Sequence, residues 1–90
     1  MDIGEIKSQV RSFVTGNFYV ADPAALADDA SLLDQGIIDS TGVLEVIGFV
    51  ESTFGVTVED AEMLPENLDS IECIARYVGR KKEAALRVAA

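Results

Sequence analysis

The sequence predicts an all-α fold, a small bundle of three main helices plus one short helix, with a long first loop. Three segments place apolar residues at helical spacing, and strand-like sequence is limited to Val56-Thr57-Val58. The 90 residues suit one domain, since independent domains usually have about 100–150 residues. We therefore expect a single domain over residues 1–90, in which residues 79–90 form a basic, alanine-rich C-terminal extension.

The first helix is predicted from an apolar stripe near the start of the chain, with polar residues on its other faces. The stripe consists of Ile3, Ile6, Val10, Phe13 and Val14. Gly16-Asn17 is typical of a helix end. We expect the three residues that follow to fold back against this helix, namely Phe18, Tyr19 and Val20.

A long connection follows, because no helical or strand period persists from Ala21 to Ile38. Loops of this length are uncommon unless they are functional or attached to the core. Regularly placed aliphatic residues favour attachment, and these are Leu26, Leu32, Leu33, Ile37 and Ile38. A single turn is expected at Ser31-Leu32-Leu33-Asp34.

The strongest helical pattern begins at Asp39-Ser40, either residue of which can cap the helix, and Gly55 is expected to end it. Its apolar stripe is Val43, Val46, Ile47, Val50 and Phe54, while Leu44 and Phe49 lie off the stripe. Gly42 and Gly48 each weaken this helix by ~1 kcal/mol relative to alanine. Burial of the stripe must outweigh that loss.

The second half of the chain is expected to add a connection, a short helix and a final helix. Val56 or Val58 points inward from the connection, and Met63-Leu64-Pro65-Glu66 forms the short helix. Asp69-Ser70 caps the final helix, whose inner stripe is Ile71, Ile74, Ala75 and Val78. Beyond Gly79 the helix either continues or frays.

The charge distribution limits the classes of partner. The chain has 7 basic and 16 acidic residues, a net charge of −9. All of the basic residues, and only three of the acidic ones, lie outside residues 12–75. Such a field repels phosphate backbones, so we expect no nucleic-acid binding. It attracts basic protein surfaces, although a solvated acidic face kept for solubility explains the charge equally well.

The sequence offers little catalytic machinery. It has no histidine, which excludes Ser-His and Cys-His pairs and imidazole metal ligands. The single cysteine, Cys73, is expected to be a half-exposed thiol in a reducing cytoplasm. Asp28-Asp29 and Glu59-Asp60 are interpreted as solvated loop residues, and no metal site is expected. No apolar run approaches the ~20 residues of a membrane span, and no secretory signal is apparent, so we expect a cytoplasmic protein.

One serine stands out by its setting. Ser40 follows the string Leu33-Asp34-Gln35-Gly36-Ile37-Ile38-Asp39 and lies at the first turn of the central helix. Position alone favours simple helix capping. The string, however, resembles the attachment signature of acyl and peptidyl carrier proteins, in which a serine carries 4′-phosphopantetheine. The segments 46–56 and 71–78 are similar to the second and last helices of that family.

The resemblance implies a carrier rather than an enzyme. A separate phosphopantetheinyl transferase would attach the arm from coenzyme A to Ser40 in a magnesium-dependent step, with Asp39 helping to engage the transferase. The thiol of the arm would hold an acyl or aminoacyl group as a thioester and present it to loading and accepting enzymes. The carrier is expected to be a monomer that does not insert into membranes.

In this family the second helix is the main docking surface. The outward positions that the resemblance assigns to docking are Thr41, Leu44, Glu45, Gly48, Glu51 and Ser52. Compared with fatty-acid synthesis carriers, Thr41 replaces a Leu or Met, while Gly42 and Ser52 stand where acids are frequent. These departures favour a specialised stand-alone carrier. An acyl cleft could be lined by residues that we interpret first as core, namely Val46, Ile47, Val50, Val58, Met63, Leu68 and Ile74.

Two other functions remain open at this point. The first is a non-covalent helical interaction module that binds a basic partner through its acidic surface. The second is a small acid–base enzyme, which would need a buried carboxylate of raised pKa. No segment of the sequence predicts an apolar pocket around a particular acid.

Overall fold

The computed structural model describes residues 2–89, with side chains for residues 2–85. It contains four α-helices: α1 (Ile3–Asn17), α2 (Ser40–Phe54), α3 (Pro65–Leu68) and α4 (Ile71–Ala89). Two short 3₁₀ turns, Pro23–Ala25 and Asp60–Glu62, lie in the connections. No strand occurs in these residues. The predicted all-α bundle of three main helices and a short one is confirmed.

α1 is built as its sequence indicates. The Asp2 carboxylate caps it by accepting the N–H of Glu5 at 2.9 Å, and the helix ends at Asn17. Its inner face is buried at Ile6, Val10 and Val14, whereas Ile3, at the edge of the bundle, is exposed. The placement of Ile3 in the buried stripe was therefore wrong.

The residues after α1 fold back only in part. Phe18 is half-buried against Phe13, with the two rings edge to face and 5.8 Å between their centres. Tyr19, in contrast, is 86% exposed, so its predicted packing was wrong. The backbone at Phe18 is extended, and successive side chains of extended chain point to opposite sides. Turning Phe18 inward therefore turns Tyr19 out to solvent.

α4 lies against both α1 and α3 and supplies much of the core. Its predicted stripe is buried as expected, and Tyr77 is buried beside it. α2 buries most of its own stripe and meets α1 through aromatic rings: Phe49 stacks on Phe13 with 4.2 Å between ring centres. Phe49 therefore has a packing role that its position off the stripe did not indicate. Gly55 ends α2 in the left-handed conformation, with φ 70°.

The long first loop is attached to the bundle, as predicted, but through polar contacts as well as aliphatic ones. The Arg11 guanidinium donates to the carbonyl oxygens of Pro23 and Leu26 and to the Asp28 carboxylate at 2.6 Å. Leu26, Leu32 and Ile38 are buried, and residues 32–36 form turns. The loop is thus held in place despite its lack of regular structure. Its predicted anchor Leu33 is exposed, because the turn directs Leu32 to the core instead.

The third helix begins later than the sequence predicted. α3 starts at Pro65, where the fixed φ and missing N–H of proline fit the first helical position. α4 then continues past Gly79 to Ala89, so the C-terminal extension is helical in the described residues. Lys81 pairs with Glu62 at 2.9 Å and Lys82 donates to the Phe54 carbonyl at 3.1 Å. None of the helices within residues 2–89 has the length and apolar character needed to cross a membrane.

Candidate functional site at the start of α2

The first turn of α2 combines a capped backbone with an exposed hydroxyl. The Asp39 side chain is the N-cap: its Oδ1 accepts the N–H of Gly42 at 2.8 Å. The Asp39 carbonyl accepts the N–H of Val43 at 3.0 Å. Ser40 is the first residue of the helix and is exposed. Of the two candidate caps, the structure selects Asp39, which leaves the Ser40 hydroxyl available for other chemistry.

The other serines have different surroundings. Ser70 is only 4% exposed, and its Oγ accepts the N–H of Cys73. The hydroxyl of Ser31 donates to the Asp69 carboxylate. The remaining three are exposed within helices but lie away from a helix start, namely Ser8, Ser12 and Ser52. Ser40 is the one serine among these six that is exposed on the first turn of a long helix.

The segment that leads to Ser40 is held closely against the bundle. The Leu32 carbonyl accepts the N–H groups of both Ile37 and Ile38, at 2.9 and 3.3 Å. Ile38 is buried directly beside Gly42, where an added Cβ would lie 3.1 Å from the Ile38 Cβ and 3.2 Å from the Phe18 ring. Gly42 therefore permits a close approach between the start of α2 and the loop. Gly42 faces inward, so it is not part of the exposed face of α2.

A family model described as the phosphopantetheine attachment site matches residues 8–78. No curated protein matches the chain. The match covers more than half of the sequence and includes all of α2. The chain belongs to the phosphopantetheine-attachment family.

The family accounts for the cofactor and the class of protein. Its domains hold 4′-phosphopantetheine covalently and act as carriers rather than catalysts. The start of α2 fits such a group, because an exposed hydroxyl can form a phosphate ester there. The N–H groups and the dipole of a helix N-terminus favour the negative charge of that ester. The fold predicted from the resemblance is likewise the fold observed.

The carrier domain exposes every position that the sequence assigned to docking. These positions are Thr41, Leu44, Glu45, Gly48, Glu51 and Ser52. Leu44 is 63% exposed, which agrees with its position off the apolar stripe of α2. Glu51 has a further contact, since its Oε2 accepts the Val58 N–H at 2.9 Å and fastens the segment after α2. Docking itself stays a prediction for all six.

The residues considered for an acyl cleft are mostly core, as the sequence interpretation favoured. Six of the seven are buried, namely Val46, Ile47, Val50, Val58, Leu68 and Ile74. Met63 is partly exposed and borders a small cavity of about 100 Å³ between the loop, α2 and α3. Leu33 and Val43 line the same cavity.

The acidic residues of the carrier domain are more closely paired than the sequence indicated. Asp28 was interpreted as solvated, but it binds Arg11 at 2.6 Å and lies 3.9 Å from Lys7. This correction follows from α1, which places both cations over the loop. Within the described residues, no three Cys, Asp or Glu side chains are grouped so that they could hold a metal ion.

A second polar cluster, which the sequence did not reveal, surrounds Glu62. Its carboxylate accepts hydrogen bonds from Lys81, from the Tyr77 hydroxyl at 3.1 Å and from the Glu59 N–H at 3.0 Å. The Lys81 ammonium and the Glu59 amide hold the pKa of Glu62 below its ordinary value, although burial opposes them. Burial and the Glu62 carboxylate raise the pKa of Tyr77 to about 12. The cluster joins the segment before α3 to α4.

Proposed function

We propose that this protein is a discrete carrier in which Ser40 bears the 4′-phosphopantetheine arm. The observation that supports the proposal is the setting of Ser40, which is exposed on the first turn of α2 while Asp39 caps the helix. The arm holds acyl or aminoacyl groups as thioesters and presents them to loading and accepting enzymes. The departures from fatty-acid carriers at Thr41 and Ser52 favour a specialised partner set.

The roles of the two residues at the helix start are distinct. The Ser40 Oγ attacks the phosphorus of coenzyme A that bears the pantetheine, the pyrophosphate P–O bond breaks, and adenosine 3′,5′-bisphosphate leaves. The proton of the Ser40 hydroxyl passes to a base of the phosphopantetheinyl transferase. The chain has no histidine to act as that base. Asp39 fixes the first turn through its bond to Gly42 and engages the transferase and its magnesium ion. The helix start thus orients the nucleophile, and the transferase supplies the remaining chemistry.

The exposed face of α2 is proposed as the surface that partner enzymes meet. Leu44 provides an apolar contact, and Glu45 and Glu51 provide charges for basic groups on the partners. Such charges speed the encounter between proteins more than they add affinity. The protein is proposed to act as a cytoplasmic monomer with one carrier domain over residues 1–90.

The proposal is tested by measuring the mass of the intact protein before and after modification. The unmodified protein is incubated with coenzyme A, magnesium and a broad-specificity transferase, and the intact chain is weighed. We expect a gain of one phosphopantetheine in the wild type and in Ser12→Ala, which alters an exposed serine within α1, and no gain in Ser40→Ala. An unmodified wild type, or a gain that persists in Ser40→Ala, would reject Ser40 as the attachment residue.

A further inference from the structure

Asp69, between α3 and α4, binds the loop that leads to Ser40. Its carboxylate accepts the hydroxyl of Ser31 and, through Oδ1, the N–H of Leu33 at 2.9 Å. Its carbonyl oxygen accepts the N–H of Leu32 at 2.7 Å. Three consecutive loop residues are therefore fixed by one residue that is 38 positions away from Ser31 in the sequence.

These contacts continue from the loop to the attachment helix. The carbonyl of Leu32, whose amide binds Asp69, accepts the N–H groups of Ile37 and Ile38. Ile38 is buried against Gly42, in the first turn of α2. A continuous path of hydrogen bonds and one close packing contact thus joins Asp69 to the turn that carries Ser40.

We propose that Asp69 is a positioning residue for the modification of Ser40. The inference rests on the proposed function of Ser40. The loop has no regular secondary structure between Ser31 and Ile38, so the Asp69 bonds limit the conformations that it samples. A transferase that recognises one arrangement of the loop and of α2 binds in proportion to the fraction of molecules in that arrangement. Asp69 raises this fraction without touching Ser40.

Two variants weaken these bonds, and a third is a matched control. Asp69→Asn replaces one of the two acceptor oxygens by a donor. Ser31→Ala removes the donor to Asp69, together with the acceptor of the Asp34 N–H at 3.1 Å, while keeping the bonds to Leu32 and Leu33. Glu62→Gln disturbs a comparable polar cluster, in which the turn before α3 binds Tyr77 and Lys81 of α4 through hydrogen bonds that do not involve residues 31–38. Each variant is first shown to be folded at the assay temperature by circular dichroism.

For Asp69→Asn we expect the kcat/KM of transferase modification to fall about tenfold, mainly through a higher KM for the carrier. Ser31→Ala should show a smaller loss in the same direction, and it carries the test if Asp69→Asn does not fold. Glu62→Gln should be modified like the wild type. If Glu62→Gln is slowed as much as Asp69→Asn, the slower modification reflects a general loss of stability, and the inference is overturned.

Amide hydrogen exchange provides a readout independent of the transferase. In Asp69→Asn the amides of Leu33, Ile37 and Ile38 should exchange faster, while helical amides such as those of Val10 and Ile74 keep their rates. Modification that depends on Ser40 but not on Asp69 overturns this inference alone. Modification that does not occur, or does not need Ser40, overturns the proposed function and this inference with it.

Discussion

The dipeptide Asp-Ser begins two helices of this protein and is used differently at each. At α2, the carboxylate of Asp39 caps the helix and the hydroxyl of Ser40 is exposed. At α4, the hydroxyl of Ser70 caps the helix, and the carboxylate of Asp69 reaches back to the loop. The same two residues thus produce an exposed hydroxyl, the proposed attachment site, in one place and a structural anchor in the other.

The two dipeptides differ in how soon a buried residue follows them. Ile71, directly after the second dipeptide, is fully buried, so Ser70 lies inside and its hydroxyl binds the nearest free amide. Thr41, after the first dipeptide, is exposed, and α2 buries its next residue, Gly42. A shift of one residue in the cap position therefore decides which hydroxyl is accessible.

The largest expected effect is the loss of modification in a serine variant, and it distinguishes Ser40 from Ser70. Ser70→Ala should still gain one phosphopantetheine but lose about 1–2 kcal/mol of unfolding free energy, because the α4 cap is removed. Ser40→Ala should lose the modification and stay within about 0.5 kcal/mol of the wild type, because it replaces an exposed side chain that makes no cap. Intact mass and urea unfolding measure the two outcomes. Loss of modification in folded Ser70→Ala would contradict the purely structural role of Ser70.

The second prediction separates the two roles of Asp39. Asparagine caps helices as well as aspartate does, so Asp39→Asn should keep its stability, whereas Asp39→Ala should lose about 1 kcal/mol. Both variants lack the charge that we propose engages the transferase, and both should be modified about tenfold or more slowly. Urea unfolding and transferase kinetics give the two readouts. Equal modification rates in wild type and Asp39→Asn would leave Asp39 with capping alone.

Much of this arrangement could be predicted from local sequence. The helical spacing of apolar residues located α1, α2 and α4, because one buried face requires that spacing. Gly55 and the Asp-Ser pairs located helix ends, because each satisfies a local backbone requirement. The resemblance of residues 33–40 to a family signature identified the cofactor.

What the sequence could not predict depends on residues distant in the chain. The bonds from Asp69 to the loop and the pairing of Arg11 with Asp28 appear only when the helices are placed together. Gly42 was interpreted as a cost to α2, since its close approach to Ile38 leaves no mark in the local pattern. The exposure of Tyr19 followed from an extended backbone that no periodicity indicated.

The third prediction compares the two glycines of α2. Around Gly48 there is open space, so Gly48→Ala should add about 0.5–1 kcal/mol of stability through helix propensity alone. At Gly42 the new methyl group meets Ile38 and the Phe18 ring at 3.1–3.2 Å. We expect the free energy of unfolding of Gly42→Ala, measured with urea, to be at least about 1 kcal/mol below that of Gly48→Ala. Equal gains would show that the contact between the loop and the start of α2 is loose.

The smallest expected effect is a change in the free energy of unfolding with pH. It arises at Glu62, whose cluster binds α4 away from the start of α2. The pKa of Glu62 is lowered in the folded protein, chiefly by Lys81, so its pairing stabilises the fold fully above the ordinary pKa of a glutamate. That contribution is lost as the pH falls through the lowered value. Glu62→Gln should therefore be less stable than the wild type at about pH 7, and the difference should narrow below about pH 4.

Urea unfolding of both proteins across this range measures the effect. Lys81→Met serves as a matched variant, because it removes the same pair from the cationic side, and it should show the same narrowing. A gap between wild type and Glu62→Gln that stays constant with pH would show that Glu62 acts through its neutral hydrogen bonds. In that case the hydrogen bond to Tyr77 would carry the stabilisation, and Tyr77→Phe should reproduce the loss at every pH below about 10. The pH dependence of stability thus decides whether the Glu62 cluster holds α4 through an ion pair. The start of α2, in contrast, is held by the helix cap at Asp39.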